Sequence, residues 1–94
     1  MNNQHTLEAL LRGETITVKP HGNSMTPLLK SGDPVTLKPI TLSEVKKDDI
    51  VFCKVNGHFY IHLVTAVKEG QVQISNNHGH VNGWTTKVYG KAER

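Results

Sequence analysis

Apolar and polar residues alternate in short runs along most of this chain, with the two-residue period of β-strands. Ile16 and Val18 alternate with Thr15, Thr17 and Lys19 and predict a strand over 15–19. Val35-Thr36-Leu37 and residues 50–55 read as two more. Asn56-Gly57 then separates two apolar runs, the strongest short-range signal for a type I′ hairpin. With those two as the loop residues, Val55 faces His58, Cys53 faces Tyr60 and Val51 faces His62. His58, Tyr60, His62 and Val64 then share one sheet face with Val51 and Cys53. Glu69-Gly70 closes the next hairpin and leads into Val72-Gln73-Ile74. The segment 76–83 reads as a polar loop and 84–89 as the last strand. Helix formers gather only in 6–12, with Thr6 as N-cap and Gly13 as stop. Residues 20–27 read as loop, and Leu28-Leu29-Lys30 as a single helical turn. The expected fold is a small, mostly antiparallel, partly barrel-like β-structure, residues 1–94 forming one domain with a short N-terminal helix within 1–13.

Composition narrows the setting. Ninety-four residues suffice for one modest core without a metal or disulfide staple. The single cysteine, Cys53, excludes an internal disulfide and gives no reason to expect an oxidising compartment. No apolar run approaches the roughly 20 residues that span a bilayer, and Met1-Asn2-Asn3-Gln4-His5 lacks the apolar core of a signal peptide. A cytoplasmic protein without a membrane span is expected. The net charge of +3 is spread along the chain, and its one basic pair, Lys46-Lys47, runs directly into Asp48-Asp49. Nucleic-acid binders cluster their cations beside exposed aromatics, so no nucleic-acid partner is expected.

Two segments carry candidate chemistry. Gly22-Asn23-Ser24-Met25-Thr26-Pro27 sets a hydroxyl on a loop that starts at glycine and ends at proline. Tyr60-Ile61-His62-Leu63-Val64 sets an imidazole on an apolar strand. Serine is a weak nucleophile until a neighbouring base takes its proton, and histidine has a pKa suited to that task near neutrality. Each segment alone also has an ordinary explanation, a turn and a half-buried strand histidine. His58 sits at the hairpin mouth and His21 before the loop, poorer places for a base. Cys53 shares the proposed face of His62, but a mid-strand cysteine lacks oxyanion donors and reads as a small buried hydrophobe. His78-Gly79-His80 lacks cysteine or carboxylate partners and is a weak ligand set, so neither metal nor other cofactor is expected.

The order of several motifs adds to these readings. Gly22-x-Ser24-Met25-x-Pro27, Gly32-Asp33-Pro34-Val35, Lys47-Asp48-Asp49-Ile50-Val51-Phe52, the histidine strand and Val88-Tyr89-Gly90-Lys91-Ala92 follow one another. Together they resemble the serine-peptidase superfamily of LexA-like repressors and type I signal peptidases, over roughly residues 15 to 92. The resemblance implies Ser24 as nucleophile and His62 as base, where bacterial members carry lysine. Histidine there is similar to the endoplasmic-reticulum and archaeal signal-peptidase branch. Asp33 and Asp49 fall on the family's Gly-Asp turn positions, which are structural.

The chain departs from that pattern in two places. The family's oxyanion serine is replaced by Gly22, which leaves the Ser24 N–H and Asn23 as the candidate oxyanion donors. The family's Gly-Asp-Asn motif is replaced by Ser75-Asn76-Asn77, and no Asp or Glu occurs from Gly70 to Ala92. The site is then a bare Ser24–His62 dyad, or one that borrows Asn76, Asn77 or Asn82 as orienting group, or an inactive one. The expected function is a serine endopeptidase that cleaves a peptide or protein substrate. The alternative is a catalytically silent module of the same fold that binds a peptide or protein partner at its sheet edge. A third reading is a subunit or anti-repressor that mimics a repressor's C-terminal half. The Ala-Gly and Cys-Gly bonds that LexA-like repressors cut in themselves are absent, so self-cleavage is not expected.

Overall fold

The alternating segments form seven strands of one antiparallel sheet in a computed structural model that describes residues 1–93. In chain order they are β1 (Ile16–Val18), β2 (Val35–Pro39), β3 (Ile50–Val55), β4 (His58–Lys68), β5 (Gln71–Ser75), β6 (Val81–Thr85) and β7 (Val88–Ala92). Their order across the sheet is β1-β2-β7-β3-β4-β5-β6. Every neighbouring pair is antiparallel.

β3 lies near the middle and is buried on both faces. Ile50 and Phe52 point to one core, with Leu10, Val18, Met25, Val35, Leu37, Ile61 and Ala92. Val51, Cys53 and Val55 point to the other, with Val45, Val64, Val72, Ile74 and Val88. Complete burial of a side chain such as Phe52, which also stacks on Phe59 at 5.3 Å between ring centroids, stabilises the fold by about 1.5–3 kcal/mol.

The β3–β4 hairpin has the register set by its turn: Val55 pairs with His58, Cys53 with Tyr60 and Val51 with His62. Asn56 (φ 49°) and Gly57 (φ 83°) both take the left-handed conformation that a type I′ turn requires. Beyond β4 the sheet curls. The Thr85 hydroxyl donates to the Lys54 carbonyl at 2.6 Å, and the Lys54 N–H donates to Lys87 O at 2.9 Å. β6 is thereby drawn towards β3, yet the sheet is not closed into a barrel: β1 and β6 are its two edges.

Two elements differ from the sequence reading. The helix, α1, spans Asn3–Leu11 and is capped by Asn2, whose side chain accepts from the His5 N–H at 3.0 Å. Thr6 is not the N-cap; it lies buried inside the helix, its hydroxyl bonded to the Asn2 carbonyl at 3.0 Å. An earlier asparagine cap and a Thr6 side chain that bonds back into the first turn start the helix four residues before the point a Thr6 cap would set. Gly13 (φ 84°) ends it as expected. The segment 84–89 is not one strand. β6 begins at Val81, inside the expected loop, and ends at Thr85, where the bonds to Lys54 turn the chain into β7.

Candidate active site

Ser24 stands on a loop fixed at its base and from below. The Gly32 N–H donates to the Pro20 carbonyl at 2.8 Å, and the Gly22 N–H to the Ser31 hydroxyl at 3.0 Å. Gly22 has φ 116°, a conformation that a side chain would strain. Met25, the next residue after Ser24, drops into the core and is 4% exposed. The loop is thus nailed down beside Ser24, which itself remains exposed.

His62 reaches the same point from the sheet. It is 8% exposed, on the β4 face shared with Tyr60, whose ring stacks on the imidazole at 4.7 Å. The Ser24 Oγ lies 3.0 Å from His62 Nε2 across 38 residues of sequence. The other ring nitrogen, Nδ1, lies 2.7 Å from Asn82 Oδ1. With the carbonyl of Asn82 accepting from Nδ1–H, Nε2 is left as an acceptor for the serine proton.

Asn82 owes its place to a β-bulge. Ser75 pairs with Val81 and Ile74 with Gly83, so Asn82 is an extra residue on β6. A bulge re-aims the side chain it carries, and Gly83 (φ 141°) completes the distortion. Of the other asparagine candidates, Asn76 is occupied within its own loop, its Oδ1 accepting from the N–H groups of His78 and His80 at 2.8 and 2.9 Å. Asn23 contributes its main-chain carbonyl, which accepts from the Thr26 hydroxyl and from His78 Nε2. Asn77, which the sequence reading weighed only as an orienting group, instead holds the serine loop: its N–H donates to Ser24 O at 2.8 Å.

Burial is the largest influence on His62 and pushes its pKa below the usual 6.5; the Asn82 hydrogen bond works in the opposite direction, and the His80 imidazole adds to the lowering. The ring is therefore neutral at pH 7 and able to take a proton. Cys53, on the same face, is fully buried, and burial pushes its thiol up to about 12. A thiol with that pKa carries no thiolate near neutrality. Among the described residues no group of three or more His, Cys, Asp or Glu side chains is arranged to hold a metal ion.

A cleft of about 530 Å³ opens beside Ser24 and His62, lined further by Tyr60, Ile61, Pro20 and Met1. One side of β4 is unpaired there, since β5 joins it only from Leu63 onward and leaves residues 58–62 without a strand on that side.

A profile of the family described as Peptidase S24-like matches residues 4–88. The chain belongs to the Peptidase S24-like family. This family lies within the LexA and signal-peptidase superfamily, so the chain is a peptidase-fold protein. No curated protein and no solved structure matches the chain. Asp49 accepts from the Lys46 N–H at 2.9 Å and pairs with Lys91 at 3.2 Å, fixing the start of β3. Asp48, the residue before it, adopts φ 76°. No helix among the described residues is long and apolar enough to cross a membrane.

Proposed function

We propose that the protein is a serine endopeptidase that works through Ser24 and His62. The observation that carries this reading is the continuous hydrogen-bonded line Ser24 Oγ–His62 Nε2, His62 Nδ1–Asn82 Oδ1, with distances of 3.0 and 2.7 Å. The Ser24 oxygen attacks the substrate carbonyl while His62 Nε2 takes the serine proton. The tetrahedral oxyanion is met by the Ser24 N–H, which has no acceptor among the described residues. His62 then gives the proton to the leaving amine, the peptide bond breaks and an acyl ester remains on Ser24. Water, deprotonated by His62, hydrolyses that ester and restores the serine.

Asn82 fixes the tautomer of His62 as a carboxylate would, but as a neutral group it does not offset the imidazolium charge. Turnover is consequently slow relative to a Ser-His-Asp site. The substrate is a peptide or protein in extended form, laid along the unpaired edge of β4 at residues 58–62 with its scissile carbonyl over Ser24.

The test is covalent labelling with a fluorophosphonate, followed by mass spectrometry of the adduct. Wild-type protein should carry the phosphonate on Ser24, and Ser24→Ala and His62→Ala should carry none. The absence of a hydroxyl at Gly22 and of a carboxylate at Asn82 favours a second reading, a silent module that binds a peptide at the same edge. A protein that binds peptides but resists labelling would select it.

A further inference from the structure

We propose that Asn77 and His78 are positioning residues that hold the serine loop in register with His62. The inference rests on Ser24 as the nucleophile, and it concerns the β5–β6 loop, which delivers Asn82 to the imidazole. The same loop grips the serine loop at three successive places. The Asn77 N–H donates to Ser24 O at 2.8 Å, Asn77 Nδ2 to Thr26 O at 2.9 Å, and His78 Nε2 to Asn23 O at 2.9 Å. The carbonyls just before, at and two residues after the proposed nucleophile are therefore all held by one neighbouring segment.

The gripping loop is itself cross-bonded. Asn76 Oδ1 accepts from two of its N–H groups, and the Asn76 N–H donates to His80 O at 2.9 Å. One short segment thus fixes the serine from one side and, through Asn82, the imidazole from the other. The separation of Ser24 from His62 is set by this segment rather than by the sheet alone. The serine loop is anchored in the core by Met25 and Leu29 and tied to itself by the Gly22–Ser31, Asn23–Thr26 and Met25–Leu29 hydrogen bonds, while the Asn77 and His78 bonds tie it to the segment that carries Asn82. A shift of the order of 1 Å at a reacting group can cost about a hundredfold in rate.

The experiment compares wild type with Asn77→Ala, His78→Ala and His78→Gln in the full chain. Glutamine keeps an N–H donor near the place of His78 Nε2, whereas alanine removes it. Two quantities are read: the rate of fluorophosphonate labelling at Ser24, and the nitrogen-15 NMR signals of the His62 ring, with Ser24→Ala as the reference for a lost serine contact. Labelling should slow by about tenfold in Asn77→Ala and His78→Ala and recover in His78→Gln, with the melting temperature nearly unchanged. The His62 Nε2 signal should move towards that of Ser24→Ala in the two alanine variants only. Variants that label at the wild-type rate would overturn the positioning role while leaving Ser24 as nucleophile. If wild type itself resists labelling, the catalytic reading fails and the ring signals decide alone. An unchanged Nε2 signal then overturns the inference, and a signal moved towards that of Ser24→Ala upholds it. Should Asn77→Ala fail to fold, the His78 pair carries the comparison.

Discussion

Asn82 Oδ1 lies 2.7 Å from His62 Nδ1, in the place where a Ser-His-Asp site has its carboxylate. A carboxylate there would accept the same proton and also stabilise the imidazolium by charge. Asn82→Asp should therefore raise the pKa of His62 and increase the rate of acylation. The rise of activity with pH, which reports the neutral base, should move to higher pH in the variant. Fluorophosphonate labelling rates measured from pH 4 to 9 check this. A variant that labels no faster and keeps the wild-type midpoint would show that charge at this position does not limit the reaction.

The Cys53 thiol makes a contrast on the same sheet face. Its Sγ is fully buried and donates weakly to Tyr60 O at 3.7 Å, with the pKa pushed up to about 12. Native protein should not react with an aromatic disulfide reagent at pH 8, and unfolding in urea should release one thiol per chain. Cys53→Ser should leave labelling of Ser24 unchanged. Rapid modification of the native protein would contradict the burial and reopen a thiol mechanism.

The legible parts of this molecule are those written in local chemistry. Asn56-Gly57 states its own turn type, and the turn alone fixed which residues of β3 and β4 share a face. Ser24 and His62 stood out because their motifs are contiguous in sequence. The choice among Asn76, Asn77 and Asn82 as the group that orients His62 is not available from spacing. It depends on the one-residue bulge in β6, which breaks the alternation on which strand reading relies. Gly83 was its only sequence trace, since an isolated glycine in a strand pattern signals a bulge. The hold of Asn77 and His78 on the serine loop spans more than fifty residues and left no mark in local pattern. The boundary between β6 and β7 is illegible in the sequence for the same reason: the Thr85–Lys54 contact that turns the chain is tertiary.

Packing of α1 on the sheet depends on Gly90. A Cβ at that position would fall 2.8 Å from Leu10 Cδ1 and 3.2 Å from the Lys38 carbonyl oxygen. Leu10 is 3% exposed and has little room to retreat, and the carbonyl belongs to the backbone of a paired strand. Gly90→Ala should destabilise the protein by about 1–3 kcal/mol, the usual cost of overpacking. Gly90→Ala combined with Leu10→Ala should be less destabilised than the sum of the two single variants, because the second substitution clears the first clash. Urea denaturation of the four proteins measures both quantities, and strict additivity would place the strain elsewhere.

His62 couples activity and stability to pH in one direction. Its pKa in the folded protein lies below the usual 6.5, chiefly because burial disfavours the charged ring, with a smaller lowering from His80. A base must be neutral to act, so labelling of Ser24 should persist to a lower pH than the usual histidine value of 6.5 would allow. In the unfolded chain the same ring takes its proton near the usual value. Between the two pKa values the unfolded state holds more protons, so stability falls as pH falls. The contribution is therefore complete above about 6.5 and is lost on descending towards the folded pKa. Urea unfolding at a series of pH values from 4 to 8 should show this slope, and His62→Gln should remove its share of it while abolishing labelling. A His62→Gln protein with the same pH dependence of stability as wild type would mean that the ring is protonated as readily inside the fold as outside. The low-pH persistence of activity would then need another explanation.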